Sequence, residues 1–188
     1  MSPEPTPSQT IGPFFHFALF GEDQSKLVAS DHPSAIRLGG TVYDVAGDPV
    51  PDGMLEIWQA DEAGRCAYPE GNSADPPADE GFSGFGRCAT DEEGRFSFLT
   101  VKPGPVPGPD GQHQAPHILV SIFARGLLKR LVTRVSFPDE EDANAGDPVL
   151  NRIEDSDYRS TLIAREVDGR LSFDVFLQGD HQTVFFDV

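Results

Sequence analysis

The five histidines, His16, His32, His113, His117 and His181, are the first residues to test for chemistry. Only His113 and His117, four apart, have a spacing at which two imidazoles share a metal on one helix face. Pro116 works against a helix there, because it removes a backbone donor and pushes Ala115 toward an extended conformation. In extended chain two residues share a face when they are two apart, and the residue two beyond His117 is Leu119. The pair is therefore weak evidence for a metal. The chain also has no nucleotide-binding glycine loop, no G-x-S-x-G elbow and no H-E-x-x-H. Cys66 and Cys88 lie in separate segments without CxxC spacing, and they read as two thiols of a cytoplasmic protein rather than a disulfide.

The charged residues inside apolar segments come next. Glu56 interrupts the LEIW run and needs either solvent or a cation, with Arg87 and Arg134 as candidates. Arg125 ends an apolar strand just before Gly126, a place where arginine is ordinarily solvated or ion-paired. Trp58 reads as core packing, with its indole N–H needing a partner. The acidic run Asp139 to Asp142 reads as a solvated helix start, where negative charge complements the helix dipole.

The elements that must carry these residues are strands. With 188 residues the chain can bury a real core, and 19 Gly and 17 Pro favour short strands joined by turns over long helices. The expected strands are Ile36 to Val45, Gly53 to Ala60, Arg95 to Val101, Ile118 to Arg125, Leu127 to Phe137, Arg170 to Gln178 and Thr183 to Val188. Leu171, Phe173, Val175 and Leu177 alternate onto one face, as do Leu127, Leu131, Val135 and Phe137, whereas ILVSIF at Ile118 to Phe123 is apolar on both faces and suits a strand buried on both sides. Helix is expected only at Asp139 to Glu154 and at Asp157 to Arg165, the latter capped by Asp157. The fold class is mainly β: a sandwich of two packed sheets with long loops, one or two short helices and an N-terminal arm that docks. Residues 1–188 form one domain, of which 1–20 are the arm, ending in the apolar stretch IGPFFHFALF.

The formal net charge of −17 makes nucleic acid an improbable partner, because phosphate backbones are held by Lys and Arg. No run is long and apolar enough for a membrane span, and the opening MSPEPTPSQT has no signal-peptide pattern, so the expected location is the cytoplasm. Against so acidic a background, any anion site depends on a few well-placed arginines.

From Leu38 to Cys66 the sequence LGGTVYDVAGDPVPDGMLEIWQADEAGRC resembles the signature of the intradiol ring-cleavage dioxygenases, matching at Gly40, Val42, Gly47, Val50, Leu55-Glu56-Ile57 and Gly64. Similar stretches follow in order along the chain: TPSQTIGPFF, GFGR, TVKPG, APHI, FARG, DPVLN and TVFFDV. Members of that family hold ferric iron with two tyrosines and an H-x-H pair. The resemblance places the first tyrosine position at Cys66, the second at Val106 in KPGPVPG, and the histidines at His117 and Leu119. Only His117 keeps a side chain of the expected kind. Ferric iron calls for hard anionic donors, and valine and leucine donate nothing, so no metal is expected on this chain. His117 then reads as a structural residue hydrogen-bonded beneath a pocket floor.

Two-chain members of the family pair a metal-free alpha chain with a beta chain that carries Fe(III), and the resemblance implies that this chain is of the first kind. Its partners are then an iron-bearing beta subunit in a hetero-oligomer, a small aromatic carboxylate with two hydroxyls, and O2. The resemblance further implies that Thr10, Gly12, Pro13 and Phe14 line the partner's substrate pocket and that Arg125 stands near the substrate carboxylate. The chemistry suits those roles: Gly12 permits close approach, Pro13 is stiff, and arginine presents a planar fork of donors. Where the family usually has tyrosine this chain has Phe14, so a hydroxyl contact is absent. The competing readings are an arm that only closes an interface, a self-sufficient enzyme using Tyr68, His117 and Cys66, and a β-sandwich binding module without chemistry.

Overall fold

In a computed structural model the described residues are 7–12, 18–20, 23–66, 82–108 and 111–187. Alternation along β1 (Ala35–Tyr43) turns Leu38 and Val42 inward, and β4 (Arg95–Val101) answers from the opposite register with Phe96 and Phe98. On the other side of β1 run β10 (Arg170–Ser172) and β11 (Val175–Phe176), both parallel to it, with β9 (Arg165–Val167) antiparallel beyond β10. The second sheet has the order β3 (Phe85–Ala89), β2 (Met54–Trp58), β7 (His117–Phe123) and β8 (Leu131–Ser136), antiparallel throughout. One core holds side chains of both sheets: Leu38, Val42, Phe96 and Phe98 from the first, Leu55, Ile57, Ile118, Val120, Ile122 and Val135 from the second. That is the expected β-sandwich. A two-residue hairpin, β5 (Val106–Pro107) with β6 (His113–Gln114), stands apart from both sheets.

Phe173 and Val175 join the core with Leu171 and Leu177 against it, as their alternation predicts. Other expectations need correction. β7 is buried on one face only, and its outward Leu119 is 44% exposed. Trp58 is no core residue: it is 45% exposed, with Phe85 beside it at a ring separation of 4.7 Å. The strand expected at 127–137 begins only at Leu131, because Ala124 to Leu127 form a turn. Residues 183–187 form no strand; Phe186 makes an isolated bridge to Val132. The helix expected over 139–154 shrinks to α1 (Glu141–Gly146) and a 3-10 turn, Leu150–Arg152, and the last helix, α2 (Ser156–Ser160), is capped by Asp155 rather than Asp157, whose backbone N–H is the capping donor. Asp139 pairs with Lys102 at 2.7 Å, so the acidic run is only partly a solvated helix start.

The charge that sequence could not place is Asp147, fully buried just after α1. Its Oδ2 accepts from the Ala115 N–H and its Oδ1 from those of Val149 and Leu150, each at 2.8 Å, while Arg134 Nη2 of β8 lies 2.9 Å from Oδ1. Burial by itself raises the carboxyl's pKa, but the hydrogen bonds and the Arg134 charge outweigh it and hold the group below its ordinary 3.8. Its stabilising contribution is therefore present above the ordinary value and fades as pH falls through the lower native one. Replacing Asp147 with Ala strands a buried guanidinium and three backbone donors; urea unfolding at pH 7 is expected to show a loss of about 3–5 kcal/mol.

Candidate functional site

The residues matched to iron ligands are carried by three segments. Cys66 follows a turn organised by Asp61, whose carboxylate accepts from the Ala63 and Arg65 N–H groups at 2.9 and 2.8 Å and pairs with the Arg65 guanidinium at 2.7 Å. The turn is clasped to the strap before β5, since the Gly104 N–H donates to the Asp61 carbonyl at 2.8 Å. The approach demands glycine on both sides: a Cβ at Gly104 would lie 2.6 Å from the Glu62 carbonyl, and one at Gly64, with φ +78°, would lie 2.2 Å from that of Pro105. Cys66 thus follows directly on a turn that packs against Gly104 and Pro105. Val106 pairs with Gln114 in the hairpin, and Gln114 leads through Pro116 into β7.

On β7, His117 and Leu119 share the outward face. His117 Nδ1 is 2.7 Å from the Ala115 carbonyl, which makes Nδ1 the protonated nitrogen and leaves the lone pair on Nε2. That is the tautomer a metal ligand needs, but the other donors fail. Leu119 and Val106 have none to give, and Cys66, an exposed thiol, is a soft ligand. No group of three or more potential metal-ligating side chains occurs among the described residues. Tyr68 lies outside them. The donor set does not fit ferric iron.

The arm and Arg125 meet at the opposite end of β7. Ala124 to Leu127 form a turn closed by a 3.2 Å bond from the Leu127 N–H to the Ala124 carbonyl, and Gly126, at φ +90°, occupies the place where the chain must be left-handed. The Gly126 N–H donates to Thr10 Oγ1 at 2.9 Å, pinning the arm to this turn. Arg125 projects outward, its side chain 75% exposed, with Nε 2.7 Å from the Asp52 carboxylate. Gly12 is exposed two residues along the arm from Thr10. Pro13 and Phe14 lie outside the described residues. Further on, the Leu19 carbonyl accepts from Arg87 Nη1 at 3.4 Å. Arg87 is also the partner Glu56 needed, through Nη2 at 2.6 Å and Nε at 2.9 Å, whereas Arg134 belongs to Asp147. The structure therefore brings Thr10 close to the Arg125 turn, and places the four residues matched to iron ligands elsewhere, on β7, the β5–β6 hairpin and the turn before Cys66.

Sequence reasoning missed Asp52 and Asp147. Asp52 sits in an Asp-Gly turn that looks like any other, and Asp147 in a loop whose partners are far along the chain.

The family described as Dioxygenase matches residues 12–179. The chain belongs to the intradiol dioxygenase family. Among its relatives, the protocatechuate 3,4-dioxygenase alpha chain of Pseudomonas putida is 45% identical, with 97% of this chain and 96% of that one covered. A protocatechuate 3,4-dioxygenase beta chain, from Burkholderia cepacia, is 43% identical over 61% of this chain and 46% of its own length. Among solved structures, the dioxygenase domain of a dioxygenase carbohydrate-binding protein fusion from Streptomyces sp. SirexAA-E superposes with a TM-score of 0.57 at 28% identity, covering 94% of this chain and 99% of that domain. No helix among the described residues is long and apolar enough to cross a membrane.

Burial pushes the His117 imidazole below its ordinary 6.5, the Arg134 charge adds to the effect, and the Ala115 carbonyl only partly opposes it. The native state keeps this ring neutral while the unfolded chain protonates, so its contribution to stability is lost as pH falls from the ordinary value through the native one. An NMR titration of the ring carbons is expected to give a midpoint below 6.5; a midpoint above it would mean that the Nδ1 bond dominates.

Proposed function

We propose that this chain is the metal-free alpha subunit of a protocatechuate 3,4-dioxygenase, working with an iron-bearing beta subunit in a cytoplasmic hetero-oligomer of alpha-beta pairs. The observation that carries this is the end-to-end match to an alpha chain at 45% identity over nearly the whole of both proteins. All 188 residues act as one domain, whose arm, residues 1–20, reaches the partner. The replaced donors at Cys66, Val106 and Leu119 support the division of labour, since nothing in that set supplies hard anionic ligands. The outward Trp58 and Leu119, opposite one another in register and half exposed, support a sheet face built to be covered by the partner chain.

The iron belongs to the partner's site, where it would activate the catechol ring toward O2. The bond between the two hydroxyl-bearing carbons breaks, and each carbon takes one oxygen atom to become a carboxylate, giving 3-carboxy-cis,cis-muconate, an intermediate of the β-ketoadipate pathway. This chain's residues bind and orient. Protocatechuate carries a carboxylate, and a chain of net charge −17 repels it except where a cation is exposed. Arg125 is such a cation, and its bond to the half-exposed Asp52 is a surface pair worth at most about 1 kcal/mol. Exchanging Asp52 for the substrate carboxylate therefore costs little. Thr10, held by the Gly126 N–H, fixes where the arm leaves this turn, and the resemblance assigns Gly12, Pro13 and Phe14 to the lining of the partner's pocket. Phenylalanine at 14 brings no hydroxyl to that lining.

Two measurements test this. The chain purified alone is expected to be colourless and inactive, and co-expression with a beta chain is expected to give a coloured, active complex; activity of the lone chain without partner would overturn the reading. In the assembled enzyme, Arg125→Ala is expected to raise KM for protocatechuate by about tenfold or more, the worth of a charged hydrogen bond. Catechol, which has no carboxylate, should be affected much less. Equal losses on both substrates would assign Arg125 a structural role.

A further inference from the structure

Arg134 is 1% exposed, and its place on β8 bears directly on the former iron position. It stands opposite Leu119 in register and so projects from the same face of the sheet as Leu119 and His117. Side chains paired in this way are about 5 Å apart at Cβ. The guanidinium keeps its charge under all ordinary conditions. It is also held in place: Asp147 Oδ1 lies 2.9 Å from Nη2 and Gln114 Oε1 is 3.4 Å from Nη1, yet among the described residues neither Nε nor Nη2 finds an acceptor in good hydrogen-bonding direction. Asp147, the neighbouring carboxylate, spends its oxygens on the Ala115, Val149 and Leu150 N–H groups and is closed to a metal.

We infer that Arg134 shuts this position to cations, so that restoring the lost donors alone would not restore a metal. A metal on His117 Nε2 and a donor at 119 would sit beside a buried, immobile positive charge, with little water to screen it. The inference rests on the reading of residues 117 and 119 as former ligand positions, and it adds that a fixed internal cation now guards them.

The test uses the full chain and Zn2+ as the probe. Leu119→His creates two imidazoles on one strand face, and calorimetric titration is run on this variant alone and combined with Arg134→Gln, with the unaltered chain subtracted. Because Arg134→Gln leaves Asp147 unpaired, a third variant adds Asp147→Asn to neutralise both members, and a fourth carries Arg134→Lys to keep the charge. The two backgrounds carrying Arg134→Gln are expected to bind Zn2+ at least tenfold more tightly than those with Arg134 unaltered or Arg134→Lys. Equal, measurable affinity in all four overturns the inference while leaving 117 and 119 as a site. No Zn2+ binding in any of them overturns both, because the two positions then do not converge.

Discussion

A carboxylate without exposed surface ties the second sheet to the loop that follows α1. Asp147 accepts from backbone donors on both sides of the chain, at Ala115 before β7 and at Val149 and Leu150 in the 3-10 turn, and it carries the counter-charge of Arg134 on β8. Hydrophobic packing alone would leave these three segments free to slide, because one apolar contact substitutes for another. Directed bonds to a single buried group do not allow that. The position of Ala115 in turn sets His117, whose ring is fixed by the Ala115 carbonyl. The tautomer of that histidine is thus settled by a chain of bonds that begins at Asp147 and involves no metal.

This independence extends to the segments that carry the positions matched to iron ligands. The Asp61 turn satisfies itself with its own backbone donors and Arg65, and Gly104 clasps it by a main-chain bond. Cys66 and Val106 follow that clasp along their two segments, and Val106 pairs with Gln114. Leu119 points outward from a strand whose inward residues, Ile118 and Val120, belong to the core. Cys66 and Leu119 are exposed and Val106 is half-buried, so none of the three is part of the core.

Much of the fold was legible because alternation is a local signal. Leu38 and Val42, Phe96 and Phe98, and Phe173 and Val175 each declare an inward face within a few residues. The errors have a common physical origin. Leu119 and Trp58 were read as buried because they are apolar, but a sequence pattern cannot separate a face turned to the chain's own core from one left for another chain. Asp147 left no signal, since its partners stand at residues 115, 134, 149 and 150 and only folding collects them. Glu56 was flagged as needing a cation, and geometry chose Arg87 over Arg134 because Arg87 is its direct cross-strand neighbour. The partner of Arg125 was not legible, because the Asp-Gly turn at Asp52 looks the same whether or not an arginine lands on it.

The meeting of Thr10 and the Arg125 turn joins two features that the sequence kept 116 residues apart. The prolines of the arm lower the entropy lost when it is ordered, and ties to the sheet help to offset the rest. One hydrogen bond to Gly126 fixes where it leaves the sheet, and the Arg87 contact with the Leu19 carbonyl fixes where it returns. Arg87 can serve both the arm and Glu56 because its five donors point in different directions. Between those two ties lies a segment that includes residues matched to a pocket lining, and beside its first tie stands an exposed guanidinium. In a −17 chain any attraction for an anion is confined to small areas, and the exposed Arg125 at the foot of the tied arm is one such place.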